Sequence, residues 1–93
     1  MSMYRIFETD NFTKSLKQDF GGQRKKIIKK LREYVYPQLK ISPELGNNIK
    51  KLRDWHPPTW RYRIGSYRFF YELDKDQKIV FMTVAEHRGK AYK

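Results

Sequence analysis

Three arginines flank a short turn in the C-terminal third of this 93-residue chain, and their spacing could place them on one surface. Gly65-Ser66 predicts a two-residue type II′ hairpin turn, which would pair Arg63 with Arg68 on adjacent antiparallel strands. Arg61 would share their face of the sheet, because alternate residues of a strand point to the same side. Like charges directly across a ladder are destabilising, so this cluster predicts a bound anion. The planar guanidinium group suits phosphate oxygens, which makes the three arginines candidate phosphate ligands.

A solvated surface on which the arginine side chains spread apart is the alternative to an anion site. Glu72 has the parity to reach the same face, but one carboxylate cannot neutralise three guanidinium groups. The strand after the hairpin would run back toward Arg68 and bring His87 and Arg88 near it, with Tyr92 just beyond. A surface histidine is the alternative for His87. The spacing of the chain's two histidines predicts no metal site.

Positive charge dominates the chain and is concentrated in its middle. Lys and Arg number 21 against ten Asp and Glu, which gives a net charge of +11. Residues 23–63 hold twelve of the basic and three of the acidic residues. Such an excess predicts a polyanionic partner, which could be a nucleic acid, a membrane surface or an acidic protein.

Composition excludes several classes of protein. The chain has no cysteine, so it has no disulfide framework, no thiol nucleophile and no Cys-ligated zinc site. Its longest apolar runs fall far short of the roughly 20 residues of a membrane span, and its start lacks a signal-peptide core. We therefore expect a cytoplasmic protein. Disorder is not expected, because 39% of the residues are hydrophobic and 16% are aromatic.

The elements that must position the arginines can be predicted from periodicity. Residues 4–8 predict a strand. Thr9 or Asp10 would then cap a helix whose apolar stripe is Phe12, Leu16 and Phe20. Gly21-Gly22 would end this helix, and a second would run from about residue 23 to 36, where Pro37 should stop it. The short Gly-Gly connection favours an antiparallel helical hairpin.

Strands dominate the rest of the chain. Residues 49–55 could form a short strand, and residues 60–64, 67–73 and 79–84 predict an antiparallel meander. Both faces of the last segment are mainly apolar, which is typical of a strand covered on both sides. The prediction is therefore one α+β domain over residues 1–93, made of an N-terminal strand, an α-helical hairpin and an antiparallel β-meander, with the helices packed on one face of the sheet.

The C-terminal third resembles the RelE branch of the RelE/ParE toxin superfamily. The resemblance is carried by two blocks, Trp60-Arg-Tyr-Arg-Ile-Gly-Ser-Tyr-Arg-Phe-Phe-Tyr-Glu72 and Val84-Ala-Glu-His-Arg-Gly-Lys-Ala-Tyr92. It implies the toxin of a type II toxin–antitoxin system, a ribosome-dependent mRNA endoribonuclease that needs no metal or other cofactor. In such enzymes the ribose 2′-OH attacks the adjacent phosphate, leaving a 2′,3′-cyclic phosphate and a 5′-OH.

The resemblance also implies roles for individual residues. Arg68 matches an arginine that stabilises the phosphate, and Arg61 and Arg63 fall where members carry Lys or Arg. His87 would be an acid/base residue. Arg88 matches the arginine after the last strand. Tyr92 matches the C-terminal tyrosine, which is an acid/base or stacking residue.

Further basic residues are candidates for RNA binding under the same resemblance, and a solvated helix face is the alternative for those in the second helix. The set comprises Lys25, Lys26, Lys29, Lys30, Lys50, Lys51 and Arg53. The expected partners are ribosome and mRNA, together with a cognate antitoxin that is acidic and partly disordered. A membrane is not expected, because the arginines lie opposite an aromatic face and leave no lipid-facing apolar patch.

Two other functions remain open from the sequence. A ParE-like toxin shares the fold and poisons DNA gyrase through protein contact, but that class generally lacks the full arginine, histidine and tyrosine set. A non-catalytic RNA-binding module would explain the charge and the aromatic residues without any chemistry.

Overall fold

The computed structural model describes residues 3–87, in which helices and strands follow one another along the chain. Its helical elements are α1 (Asp10–Ser15), a 3₁₀ turn (Phe20–Gly22), α2 (Arg24–Lys30), a π-helical segment (Leu31–Val35) and α3 (Tyr36–Ile41). Its strands are β1 (Arg5–Glu8), β2 (Ile49–Lys51), β3 (Trp60–Ile64), β4 (Tyr67–Asp74) and β5 (Ile79–His87). This arrangement confirms the predicted α+β class.

The five strands form one sheet in the order β1-β5-β4-β3-β2. β2 through β5 pair as antiparallel neighbours, as the meander prediction required. β1 lies at the far edge and pairs in parallel with β5, with Ile6 beside Val80. β5 is therefore an interior strand, which explains why both of its faces are mainly apolar.

The first helix begins where it was predicted and ends earlier. The Thr9 hydroxyl accepts from the Phe12 N–H at 3.1 Å and donates to the Met82 carbonyl at 2.8 Å, which caps α1 and ties it to β5. The helix stops at Ser15, whose hydroxyl donates to the Phe12 carbonyl at 2.7 Å and so competes with the helical ladder. Phe20 nevertheless reaches the core through a turn with positive φ at Phe20 and the following glycines.

The second helix does not stop before Pro37, and that prediction was wrong. The chain remains helical from Arg24 to Ile41 through the π-helical segment, where the Tyr36 N–H donates to the carbonyl of Leu31, five residues earlier. A proline in a regular α-helix would clash with the carbonyl four residues before it. The wider π turn supplies the room that Pro37 needs, so the helix can continue.

The core lies between the helical layer and one face of the sheet. Phe12, Phe20, Leu31 and Val35 from the helical layer are fully buried against this face. Tyr71 is also fully buried, and its hydroxyl donates to the Pro43 carbonyl at 2.6 Å. Burial raises the pKa of the Tyr71 hydroxyl above its usual range. No helix within residues 3–87 is long and apolar enough to cross a bilayer.

Candidate functional site

The β3–β4 hairpin has the register that its sequence predicted. Arg63 lies directly opposite Arg68, and Arg61 lies opposite Phe70. Gly65 occupies the turn with a φ of 55°, a left-handed conformation that glycine adopts without strain. The three arginines therefore share one face of the sheet, which we call the arginine face. Residues of β3 and β4 with the other parity, such as Trp60, Tyr62 and Phe69, are buried in the core.

The arginine face is the side of the sheet away from the helices. Arg61 and Arg68 are partly buried there, whereas Arg63 is exposed and its Nε donates to the Gly65 carbonyl at 3.2 Å. Arg61, Arg63 and Gly65 line a groove of about 350 Å³ together with Asn47 and Asn48. Amide side chains and guanidinium groups are hydrogen-bond donors, so the groove can hold an anionic oxygen group.

A carboxylate that the sequence analysis did not single out lies on this face. Glu86 of β5 is the direct cross-strand partner of Arg68. Glu72, which was considered as a partner for the arginines, lies further along β4 and pairs with Phe81. Glu86 was missed because the predicted strand ended at Val84, three residues before the observed end of β5.

A β-bulge in β5 decides which residues reach the arginine face. Phe70 pairs with Val84 and Tyr71 pairs with Met82, so Thr83 is an extra residue without a partner of its own. Its hydroxyl donates to the Phe70 carbonyl at 3.1 Å, and its carbonyl accepts from Asn11 Nδ2 at 3.0 Å. The bulge shifts the alternation by one residue, so Glu86, not His87, joins Arg68.

His87 consequently lies on the helix-facing side of the sheet. It pairs with Tyr67, and the two rings stack with centroids 4.7 Å apart. Its Nδ1 is buried and has no hydrogen-bond partner among the described residues. The structure thus brings His87 close to the hairpin, as expected, but on the face opposite Arg68. Arg88 and Tyr92 lie outside the described residues.

The lysines proposed for RNA binding fall into separate groups. Lys26 and Lys30 line a groove of about 430 Å³ between α2 and the hairpin tip, beside Gly65. Lys25 and Lys29 are exposed elsewhere on α2. The pairing of Lys50 with Arg61 places it on the arginine face, whereas Lys51 lies over the ring of the core residue Trp60, with Nζ 5.4 Å from its centroid. Arg53 is exposed in the loop after β2.

A scan against protein families matches residues 8–91 to the ParE toxin of the type II toxin–antitoxin system parDE. The chain belongs to this toxin family. As a ParE-family protein it is a toxin of the RelE/ParE superfamily, which confirms the superfamily that the hairpin and C-terminal blocks predicted. A search of curated proteins gave no match.

Solved structures similar to this ParE-family toxin include RelE proteins. The Mycobacterium tuberculosis RelBE2 toxin–antitoxin complex matches with a TM-score of 0.76 at 23% identity, covering 97% of both chains. A free Escherichia coli RelE mutant matches with a TM-score of 0.63 at 23% identity, covering 99% of this chain and 88% of that one. The Methanococcus jannaschii RelB–RelE complex matches with a TM-score of 0.59 at 29% identity, covering 92% of this chain and 94% of that one. The toxin therefore has the RelE fold.

One further aromatic residue of the toxin, Trp55, lies at the arginine face and was not singled out from the sequence. Its indole stacks on Phe70, which is the cross-strand partner of Arg61. It belongs to the irregular loop between β2 and β3, where no periodicity indicates the direction of a side chain. Within residues 3–87 no three His, Asp or Glu side chains are grouped so that they could hold a metal ion.

Proposed function

We propose that this toxin is a ribosome-dependent endoribonuclease that acts in the cytoplasm and cleaves mRNA in the ribosomal A site. The observation that supports it most strongly is the arrangement of Arg61, Arg63 and Arg68 on one face of the sheet, the face away from the helices. Guanidinium groups bind phosphoryl oxygens through paired N–H donors, so three of them on one face suit a phosphate of RNA. Such a cluster would stabilise the negative charge that develops on the phosphate during RNA cleavage.

The proposed reaction is an in-line transfer that uses no metal. The 2′-oxygen of the ribose forms a bond to the adjacent phosphorus while the bond to the 5′-oxygen breaks, which leaves a 2′,3′-cyclic phosphate and a 5′-OH. Negative charge accumulates on the phosphoryl oxygens at the transition state. Guanidinium donors fixed on adjacent strands stabilise this charge without reorganising, and this kind of stabilisation is commonly the largest catalytic contribution.

The reaction also moves two protons. We assign acceptance of the 2′-OH proton to Glu86, because this carboxylate lies across from Arg68 on the arginine face. The resemblance matches Arg88 to the arginine after the last strand and Tyr92 to an acid/base or stacking tyrosine. In this proposal we assign phosphate contact to Arg88 and protonation of the 5′-oxygen to Tyr92. His87, an acid/base candidate from the sequence, faces Tyr67 on the other side, and we assign it to holding the end of β5 against the hairpin.

The natural partner in this proposal is a cognate antitoxin. Similar solved structures include complexes of RelE with RelB antitoxins from M. tuberculosis, Pyrococcus horikoshii, M. jannaschii and E. coli. A net charge of +11 favours an acidic antitoxin segment, partly disordered before binding. We expect that segment to neutralise the arginine face and so compete with RNA.

A ParE-like toxin that poisons DNA gyrase is the second candidate function. It is favoured by the match of residues 8–91 to the ParE family rather than to RelE. On this alternative the arginine face would bind an acidic surface of the target protein. The cell would then stop growing with supercoiling defects while its mRNA stayed intact.

Primer extension on ribosome-bound mRNA tests the proposal directly. Toxin expression should produce cuts at defined positions within codons in the A site, and Arg68→Ala should abolish them. Lys17→Ala is the matched control, because it removes one exposed positive charge from the helical layer, and it should cleave as the wild type does. Growth arrest with intact mRNA and altered plasmid supercoiling would refute the nuclease in favour of the gyrase poison.

A further inference from the structure

The indole of Trp55 forms a flat platform beside the phosphate-binding arginines. Its ring centroid lies 5.8 Å from that of Phe70, with an angle of 14° between the ring planes. Phe70 is directly across the ladder from Arg61 and two residues from Arg68, so all three side chains share the arginine face. Directly opposed residues have Cβ atoms roughly 5 Å apart, and the indole lies on Phe70, so the platform is a neighbour of Arg61 on this face.

The loop that carries Trp55 is fixed in position by its own hydrogen bonds. The Leu52 N–H donates to the Thr59 carbonyl at 2.9 Å and closes the loop. The side chain of Thr59 is buried, and its hydroxyl donates to the Pro57 carbonyl at 3.0 Å. A platform that is already held in place loses little conformational entropy when a ligand binds.

One face of the indole remains available to a ligand. Trp55 is 50% exposed, although its other face is covered by Phe70. It lines a cleft of about 390 Å³ together with the cationic residues Lys51 and Arg53 and the acidic residue Asp54, so the lining keeps an excess of positive charge. An exposed aromatic ring beside cations is the combination that proteins use for single-stranded nucleic acid, in which bases stack and phosphates pair with positive charge.

We propose that Trp55 is a nucleobase-stacking residue, and that it binds a base of single-stranded RNA whose phosphate lies at Arg61. This inference rests on the proposed RNA substrate and adds to it a residue that binds the base. The platform binds any base, because every base has a π face, and it therefore contributes affinity and orientation more than sequence choice. An acidic peptide would pair with the cations and would leave the flat face of the indole without a matching group.

Binding of a short single-stranded RNA tests the platform without requiring cleavage. The probe is a trinucleotide methylated at every 2′-oxygen, which cannot cyclise, and its partner is the same backbone with all bases removed. Trp55→Ala should weaken binding of the intact trinucleotide by about 5- to 150-fold, the effect of losing one base stack. It should leave binding of the base-free backbone unchanged. Tyr34→Ala is the control, because Tyr34 is an aromatic residue 65% exposed on the helical layer.

Intrinsic fluorescence gives a second readout. Trp60 is only 5% exposed, so quenching by the trinucleotide should come from Trp55 and be absent in Trp55→Phe. An equal loss of affinity for both probes, or no binding of the trinucleotide, would overturn the platform. If Trp55→Ala weakened binding of an acidic antitoxin peptide but not of the trinucleotide, the surface around Trp55 would be a protein interface instead. Normal binding without cleavage on the ribosome would refute the nuclease proposal and leave the platform intact.

Discussion

Arg68 and His87 lie one register position apart on adjacent strands and on opposite faces of the sheet. Arg68 pairs with Glu86, and the neighbouring pair is Tyr67 with His87. Regular alternation from Met82 would have placed His87 on the same face as Arg68, and the extra residue Thr83 reverses this. The side chains that can reach a phosphate on the arginine face are thus selected by one irregularity in β5.

Substitutions on the two faces should therefore have different effects on cleavage. Glu86→Gln removes the proposed proton acceptor and keeps the size of the side chain, so we expect the cleavage rate to fall about 100-fold or more. His87→Gln should lower it by less than about tenfold. Single-turnover cleavage of ribosome-bound mRNA measures both rates. A larger loss for His87→Gln than for Glu86→Gln would reverse our assignment.

The bulge itself can be tested through stability. Thr83→Val keeps the shape of the side chain and removes the hydroxyl that donates to the Phe70 carbonyl, so we expect a loss of about 1 kcal/mol in the free energy of unfolding. Deleting Thr83 should prevent folding, because the core residue Ala85 would move to the arginine face. Urea unfolding measures the first effect, and Thr13→Val on the exposed side of α1 is its control. A deletion variant as stable as the wild type would show that the bulge does not fix the register.

The hairpin could be predicted from sequence because its information is local. A Gly-Ser turn between alternating aromatic residues permits one register, and the structure has that register. The bulge at Thr83 and the helix through Pro37 could not be predicted in this way. Both depend on contacts with distant parts of the chain or on a rare helical hydrogen bond. Trp55 was not predicted as a site residue, because only the tertiary structure shows that its loop folds over Phe70.

The contact between Tyr36 and Glu8 should make the stability of the fold fall as pH rises in the alkaline range. The Tyr36 hydroxyl donates to a Glu8 carboxylate oxygen at 2.5 Å. Burial, and after it this hydrogen bond, raises the pKa of Tyr36 above its usual range. Because the folded state favours the protonated hydroxyl, this stabilisation is complete below the ordinary tyrosine pKa of about 10 and is lost as pH rises above it.

Tyr36→Phe should accordingly remove part of that pH dependence. At pH 7 we expect the free energy of unfolding to fall by about 1.5–3 kcal/mol, since a hydrogen bond to a charged group is lost. Above pH 10 the stability of the variant should decline less steeply than that of the wild type, by up to about 1.4 kcal/mol per pH unit. Urea unfolding between pH 7 and 11 measures this, with Tyr34→Phe as the exposed control. Parallel curves for the wild type and Tyr36→Phe would contradict the expectation.

The two groups of lysines on α2 should contribute differently to ribosome binding. Lys26 and Lys30 line the groove beside the hairpin tip, whereas Lys25 and Lys29 do not. Replacing Lys26 and Lys30 together by alanine should reduce the slope of log affinity against log salt by about 1.4–1.8, or about 0.7–0.9 per phosphate contact. The Lys25→Ala/Lys29→Ala pair is the charge-matched control. Sedimentation with ribosomes at several KCl concentrations gives the slopes, and equal changes would indicate a general charge effect.

Placing β5 inside the sheet also has a consequence for the timing of folding during synthesis. β5 is the last of the five strands in the chain, yet β1 pairs only with it, and the cap of α1 is tied to it. β1 and α1 leave the ribosome first, and they can form these contacts only after β5 has been synthesised. Until then the arginine face lacks Glu86. On the proposed function, a growing chain would lack its proton acceptor, and hence its cleavage activity, until β5 has been translated.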